Sequence, residues 1–221
     1  MIRAVYNYGS LKDRYKGKPA LVLGRGHSRL EITPERMDKF KEAGGVIFIC
    51  NQLLLVPEVA QRADWLVFLD NIIILNNFDE IKAWDKPIFT LPQHASISKS
   101  MGPVSCPISM IRSPYYSPDD GTFYKSNSTP HVSVQLAAWM GCPEIYVAGV
   151  DLRPTPNGNS HADKFGTWNG ENVDKALTRM LLQFHCYATM RMYVDEHPTT
   201  ARVYKTSDWS LLPLETKEFG Y

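Results

Sequence analysis

The chain has 221 residues, of which 44% are hydrophobic and 21% charged, and its formal net charge is +1. This is the composition of one ordinary globular domain, long enough to bury a core without disulfide or metal staples. It leaves no acidic or basic excess to name a partner, and a surface built to wrap duplex nucleic acid would carry a basic one.

Residues 1–18 are polar and tyrosine-containing and read as an N-terminal arm before a single domain over 19–221. Pro19–Gly24 (PALVLG) reads as a buried strand. Thr33 can cap a helix with Pro34 in its first position, and Gly44 and Gly45 end it after Ala43. Val46–Cys50 (VIFIC) is a second buried strand, followed by a short helix at Pro57–Arg62 and a third strand at Trp65–Asp70. Phe78–Trp84 reads as a weak helix and Pro87–Leu91 as a fourth strand.

From Pro92 to Thr129 the pattern degrades into a long stretch rich in Ser, Pro, Tyr and Asp, with one strand expected within Val104–Ile111. A helix resumes at Pro130–Met140, with Thr129 as its cap, and Glu144–Val150 (EIYVAGV) is a strong strand. After the irregular stretch Asp151–Gly170 come a long helix at Asn172–Tyr193 and a last strand at Ala201–Lys205. Cys50, Cys106, Cys142 and Cys186 lie too far apart for a CxxC pair, so reduced, mostly buried thiols are expected. No stretch is long and apolar enough to span a membrane, and the first residues lack the apolar core of a signal peptide. The expected location is the cytoplasm.

Unbroken apolar strands alternating with helices predict an α/β fold: a Rossmann-like, mostly parallel sheet with helices on both faces and long loops at its active end. Ligands of such sheets sit at the carboxyl ends of the strands. That rule selects Gly24–Ser28, Asn51–Gln52, Asp70–Asn71 and Asp151–Arg153. Gly24-Arg25-Gly26-His27-Ser28 supplies a tight turn with backbone N–H groups suited to phosphate or ribose oxygens. It lacks the third glycine of the dinucleotide fingerprint and the Lys-Ser/Thr of a P-loop. Asn51 offers both a donor and an acceptor, and Asp70 offers a carboxylate for a ribose hydroxyl, a metal or an acceptor hydroxyl. Ser128 and Thr129 open a helix whose N-terminus favours anions. His161 sits in a polar loop where an imidazole can act as a general base; His27, His94 and His131 are weaker alternatives, and His185 reads as structural. No HxH, HExxH or Cys/His cluster points to a transition-metal site.

In order along the chain, LVLGRGHSRL, IFICNQLLL, NSTPHVSVQLAAWMGCPEIYVAGVDL and VYKTSDWSLLPLETKEF resemble the successive blocks of the small bacterial sialyltransferases. They also resemble the related hydroxymethylpterin diphosphokinase-like (DUF115) proteins. The resemblance covers roughly residues 19–217 and is most specific over Gly141–Asp151. It implies a glycosyltransferase with a nucleotide-activated donor, such as a CMP-sugar, and a hydroxyl acceptor. It maps nucleotide contacts onto Gly24, Gly26, Ser28 and Asn51, donor contacts onto Ser128 and Thr129, and the general base onto His161. Arg25-Gly26-His27 replaces the family's Asn-Gly-Pro, and Thr129-Pro130 replaces its Ser-Gly. The family's phosphate-holding tyrosines, just beyond Asp151, have no counterpart; Arg153 stands there, with Tyr115, Tyr116 and Tyr124 in the earlier loop. A guanidinium matches phosphate geometry.

The catalytic candidates are therefore His161, Asp151 and Arg153. The nucleotide-binding candidates are Gly24, Arg25, Gly26, His27, Ser28, Asn51, Gln52, Asp70, Ser128 and Thr129. Under this reading the nucleotide-sugar is a substrate, and no resident cofactor or metal is expected. The pterin-kinase relatives imply an alternative, Mg²⁺-dependent pyrophosphoryl transfer with Asp70 and Asp151 as ligands. A non-catalytic nucleotide-binding protein is the third reading. The family's habit of association implies a homo-oligomer, and a nucleic acid acceptor gains no support from the neutral net charge.

Overall fold

The computed structural model describes residues 8–91, 105–107, 110–111, 123–124, 128–154, 173–197 and 200–221. Its strands are β1 (Ala20–Leu23), β2 (Val46–Cys50), β3 (Trp65–Val67), β4 (Ile88–Thr90), β5 (Ser105–Pro107), β6 (Met110–Ile111), β7 (Phe123–Tyr124), β8 (Glu144–Ala148), β9 (Arg202–Lys205) and β10 (Glu215–Thr216). Its α-helices are α1 (Pro34–Glu42), α2 (Pro57–Ala60), α3 (Asn71–Asn76), α4 (Phe78–Ala83), α5 (Thr129–Trp139) and α6 (Val173–Glu196).

Eight strands form one sheet in the order β10-β9-β8-β1-β2-β3-β4-β5, and every neighbouring pair is parallel. The chain therefore moves outward from β1 towards β5 on one side, and from β8 towards β10 on the other. Between β1 and β8 the strand order reverses, which leaves a crevice at the carboxyl ends of the strands.

The apolar runs follow from burial on both faces. Ala20, Val22, Phe48, Cys50, Ile145 and Val147 belong to one core, shared with α5 and α6. Their alternating neighbours Leu21, Leu23, Ile47, Ile49, Tyr146 and Ala148 belong to the other, beneath α1, α2, α3 and α4. In β1 and β2 each residue faces one core or the other, so no polar position interrupts the run.

Several boundaries differ from expectation for local reasons. Thr33 caps α1 through Arg36 N–H at 3.3 Å, as the Thr-Pro pair predicts. Thr129, expected as a cap, is instead the first residue of α5, and Ser128 takes the cap position without a side-chain hydrogen bond. Asn71–Asn76, NIIILN, is a helix that its run of isoleucines concealed. The segment expected to hold one strand within Val104–Ile111 gives β5 in the large sheet and β6 in a pair with β7. Residues 8–18, read as an arm, are packed on the domain: Leu11 is fully buried, and Tyr15 N–H donates to Met140 O at 2.7 Å. No helix among the described residues is long and apolar enough to cross a membrane.

Candidate functional site

A cleft of about 320 Å³ lies over the β8/β1 crevice. Gly24, Arg25 and Gly26 reach it from β1; Asn51 and Gln52 from β2; Asp70 from β3; and Asp151, Leu152 and Arg153 from β8. The four segments selected from the sequence thus meet at one place. Ser128, Thr129 and Pro130, at the N-terminus of α5, close one side, and Arg179, Met180 and Gln183 of α6 close another.

The glycine turn is shaped first by its neighbour. Gly24 N–H donates to Ala148 O at 2.8 Å and Gly26 N–H to Gly149 O at 2.7 Å, which ties the β1 turn to the β8 turn. A Cβ on Gly24 would lie 2.4 Å from Gly149 O, and one on Gly26 2.6 Å from Asp151 Oδ2. Backbone crowding between the two turns therefore demands glycine here. The turn runs into a 3₁₀ segment, His27–Glu31, rather than directly into an α-helix.

Ser28 and Asp151 complete the clasp. Ser28 N–H donates to Asp151 Oδ2 at 3.0 Å, and the Ser28 hydroxyl donates to Asp151 Oδ1. The same hydroxyl accepts from Gly149 N–H at 2.8 Å. Both residues are buried. Ser28 is absorbed in this clasp and does not line the cleft. His27 packs its ring on Trp209, with centroids 5.3 Å apart, and likewise stays outside the lining.

Two residues in the cleft wall hold positive φ without being glycine: Asn51 at 55° and Leu152 at 53°. Asparagine tolerates this conformation, and it turns the chain sharply at the end of β2. The Asn51 side-chain oxygen accepts from the Thr129 hydroxyl at 3.4 Å, joining the β2 turn to the start of α5. Arg25 is buried, and its Nη1 donates to Gln52 Oε1 at 2.7 Å. Arg153 Nη1 donates to Trp209 O at 3.2 Å while its guanidinium lies 4.4 Å from the Trp209 ring centre. The segment carrying Trp209 is itself fixed to β8, since Leu211 N–H donates to Asp151 O and the Ser210 hydroxyl to Val150 O.

Beneath the cleft, α5 buries an unusual set of polar side chains. Gln135 holds the Tyr124 backbone at both ends, accepting from its N–H at 2.9 Å and donating to its carbonyl at 3.0 Å. His131 is fully buried against the Tyr187 ring, and burial pulls its pKa down to about 3. It is a neutral imidazole beside the Gln135 amide, 3.1 Å away. Burial likewise pushes the Cys50 thiol up to about 12, so it is no thiolate nucleophile.

His161 and His94 lie outside the described residues, as do Tyr115 and Tyr116. Among the described residues, no histidine lines the cleft. Sequence reasoning missed Arg179, Met180 and Gln183. Arg179 and Gln183 are four apart, and so share one helix face, but that spacing alone does not mark a cleft wall.

The described residues give no support to a Mg²⁺ site at Asp70 and Asp151. Both Asp151 oxygens accept from Ser28, and Asp70 stands exposed at the end of β3. Among the described residues, no three His, Cys, Asp or Glu side chains come together in a metal-holding group.

With this geometry the chain aligns with solved structures. The sialyltransferase CstII from Campylobacter jejuni, in complex with cytidine-5'-monophosphate, superposes with a TM-score of 0.55 at 12% identity, over 92% of this chain and 86% of that one. Its complex with CMP-3FNeuAc gives 0.54 at 13% identity, over 90% and 86%. The monofunctional alpha-2,3-sialyltransferase Cst-I from the same organism gives 0.50 at 12%, over 89% and 80%. The fold is that of these sialyltransferases. No protein-family model and no curated protein matches the sequence.

Proposed function

We propose that this protein is a glycosyltransferase that draws its sugar from a nucleotide-activated donor. The observation that carries the reading is the β8/β1 cleft, at the crevice where such sheets bind ligands, lined by Arg25, Arg153 and Arg179. Guanidiniums and the α5 N-terminus make it a receptor for phosphate. The similar structures CstII and its complexes were solved with CMP and CMP-3FNeuAc, which makes a CMP-sugar the first donor to test.

In the reaction, His161 takes the proton of an acceptor hydroxyl. The acceptor oxygen forms a bond to the anomeric carbon of the donor sugar. The bond from that carbon to the donor's phosphate oxygen breaks, and its electron pair leaves with the nucleotide. A cleft guanidinium balances the charge that develops on the departing phosphate. Asn51 holds the nucleotide while this happens, and Asp151 and Ser28 keep the Gly24–Gly26 turn that carries Arg25 in place. Positioning supplies much of the acceleration.

The test is a melting panel with CMP, CDP, UMP, UDP, GDP, ADP and ATP, each with and without Mg²⁺. A ligand at a hundred times its Kd stabilises the native state by about 2.7 kcal/mol. A metal-independent shift with one pyrimidine nucleotide is the expected result. A response to ATP only with Mg²⁺ would favour pyrophosphoryl transfer instead, and no response to any nucleotide would remove the reading.

A further inference from the structure

The cleft's arginines are held in different ways. The backbone on either side of Arg25 is fixed, because Gly24 and Gly26 both donate their N–H groups to the β8 end. The residue is only 9% exposed, and its guanidinium is held at one edge by Gln52, another lining residue. Arg153 is only half-buried; its guanidinium lies over the Trp209 ring and donates an N–H to the Trp209 carbonyl oxygen. Arg179 is exposed on α6.

A charge in a partly desolvated wall acts on a ligand through a lower effective dielectric than an exposed one, and a pre-set guanidinium loses little freedom on binding. From this we infer, resting on the nucleotide-donor reading, that Arg25 is the residue that takes the donor's phosphate. Gln52 is its positioning residue. Arg153 has a different task, which is to fasten the Trp209 segment to the β8 turn. The place where the sialyltransferase pattern has asparagine thus carries a phosphate clamp in this chain.

The experiment is calorimetric titration of the whole chain, in EDTA, with nucleoside monophosphates and the matching nucleosides: CMP against cytidine, UMP against uridine and GMP against guanosine. The readout is the ratio of the two affinities within a pair, which a general loosening of the fold would not change selectively. Arg25→Gln is expected to narrow the ratio about tenfold or more, as expected for a lost hydrogen bond to a charged group. Gln52→Leu is expected to narrow it less, with nucleoside affinity retained. Arg25→Lys keeps the charge without the fork shared with Gln52, so an intermediate ratio is expected, and this variant serves if Arg25→Gln does not fold. Arg153→Gln is expected to lower the melting temperature and to narrow the ratio less than Arg25→Gln does. A ratio that survives in both Arg25 variants, or collapses in Arg153→Gln alone, overturns the inference and leaves the nucleotide reading standing. If neither member of any pair binds the native chain, the nucleotide reading falls and the inference falls with it.

Discussion

Replacing Gly149 by alanine is expected to destabilise the protein by about 3 kcal/mol, the sum of about 1–2 for a left-handed residue with a Cβ and about 1–3 for overpacking. Gly149 has a φ of +72°, and a Cβ there would lie 2.3 Å from the backbone oxygen of Gly24. That oxygen belongs to a turn already fixed by two backbone bonds to the β8 end, so it has no room to retreat. The clash forces the β1 and β8 turns apart, and these turns form the floor of the cleft. Gly44 is the matched control. Its φ is +85°, but nothing lies within 4 Å of a Cβ built there. Gly44→Ala should therefore cost only the backbone component, about 1 kcal/mol. Denaturant unfolding of the two variants separates the contributions. Equal costs would show that the two turns do not press on each other as described.

Replacing His161 by alanine is expected to lower donor turnover by about 10²–10⁴-fold, the usual contribution of a positioned general base, with nucleotide affinity unchanged. The described histidines leave the role open. His131 is neutral and fully buried on α5 against Tyr187, and His27 is packed on Trp209 outside the cleft lining. His185 and His197, both exposed on or just after α6, do not line the cleft either. In sequence, His161 falls between two residues that line the cleft, Arg153 and Arg179. Steady-state turnover and equilibrium binding of the same variant check the claim. Undiminished turnover would contradict it, and loss of nucleotide binding would show that His161 holds the donor instead of activating the acceptor.

The strands were legible because burial on both faces writes itself into the chain as uninterrupted apolar runs. VIFIC matches β2 residue for residue, and PALVLG brackets β1. The strand-end rule then located most of the cleft, since Asn51, Asp70 and Asp151 each follow a run directly. What each strand-end residue touches was not legible. Ser28 and Asp151 are 123 residues apart in sequence, and nothing local announces that a carboxylate at one strand end will accept from a serine at another. The glycines of the β1 turn are equally compatible with a ligand or with a neighbouring turn, and only the packing of β8 against β1 shows the crowding that requires them. Arg179 and Gln183 were hidden because a helix that mixes polar and apolar residues all round does not declare which turn will border a crevice. The β10 pair, Glu215–Thr216, is short and exposed, so it carries no periodic signal at all.

The most direct measurement of the central claim is release of free nucleotide from a panel of nucleotide-sugars, CMP-sugars first, by the native chain in EDTA. The account predicts turnover of one donor class without metal, reduced in His161→Ala. Turnover that appears only when Mg²⁺ is restored, or no turnover of any nucleotide-sugar by a chain that binds nucleotides, would contradict it.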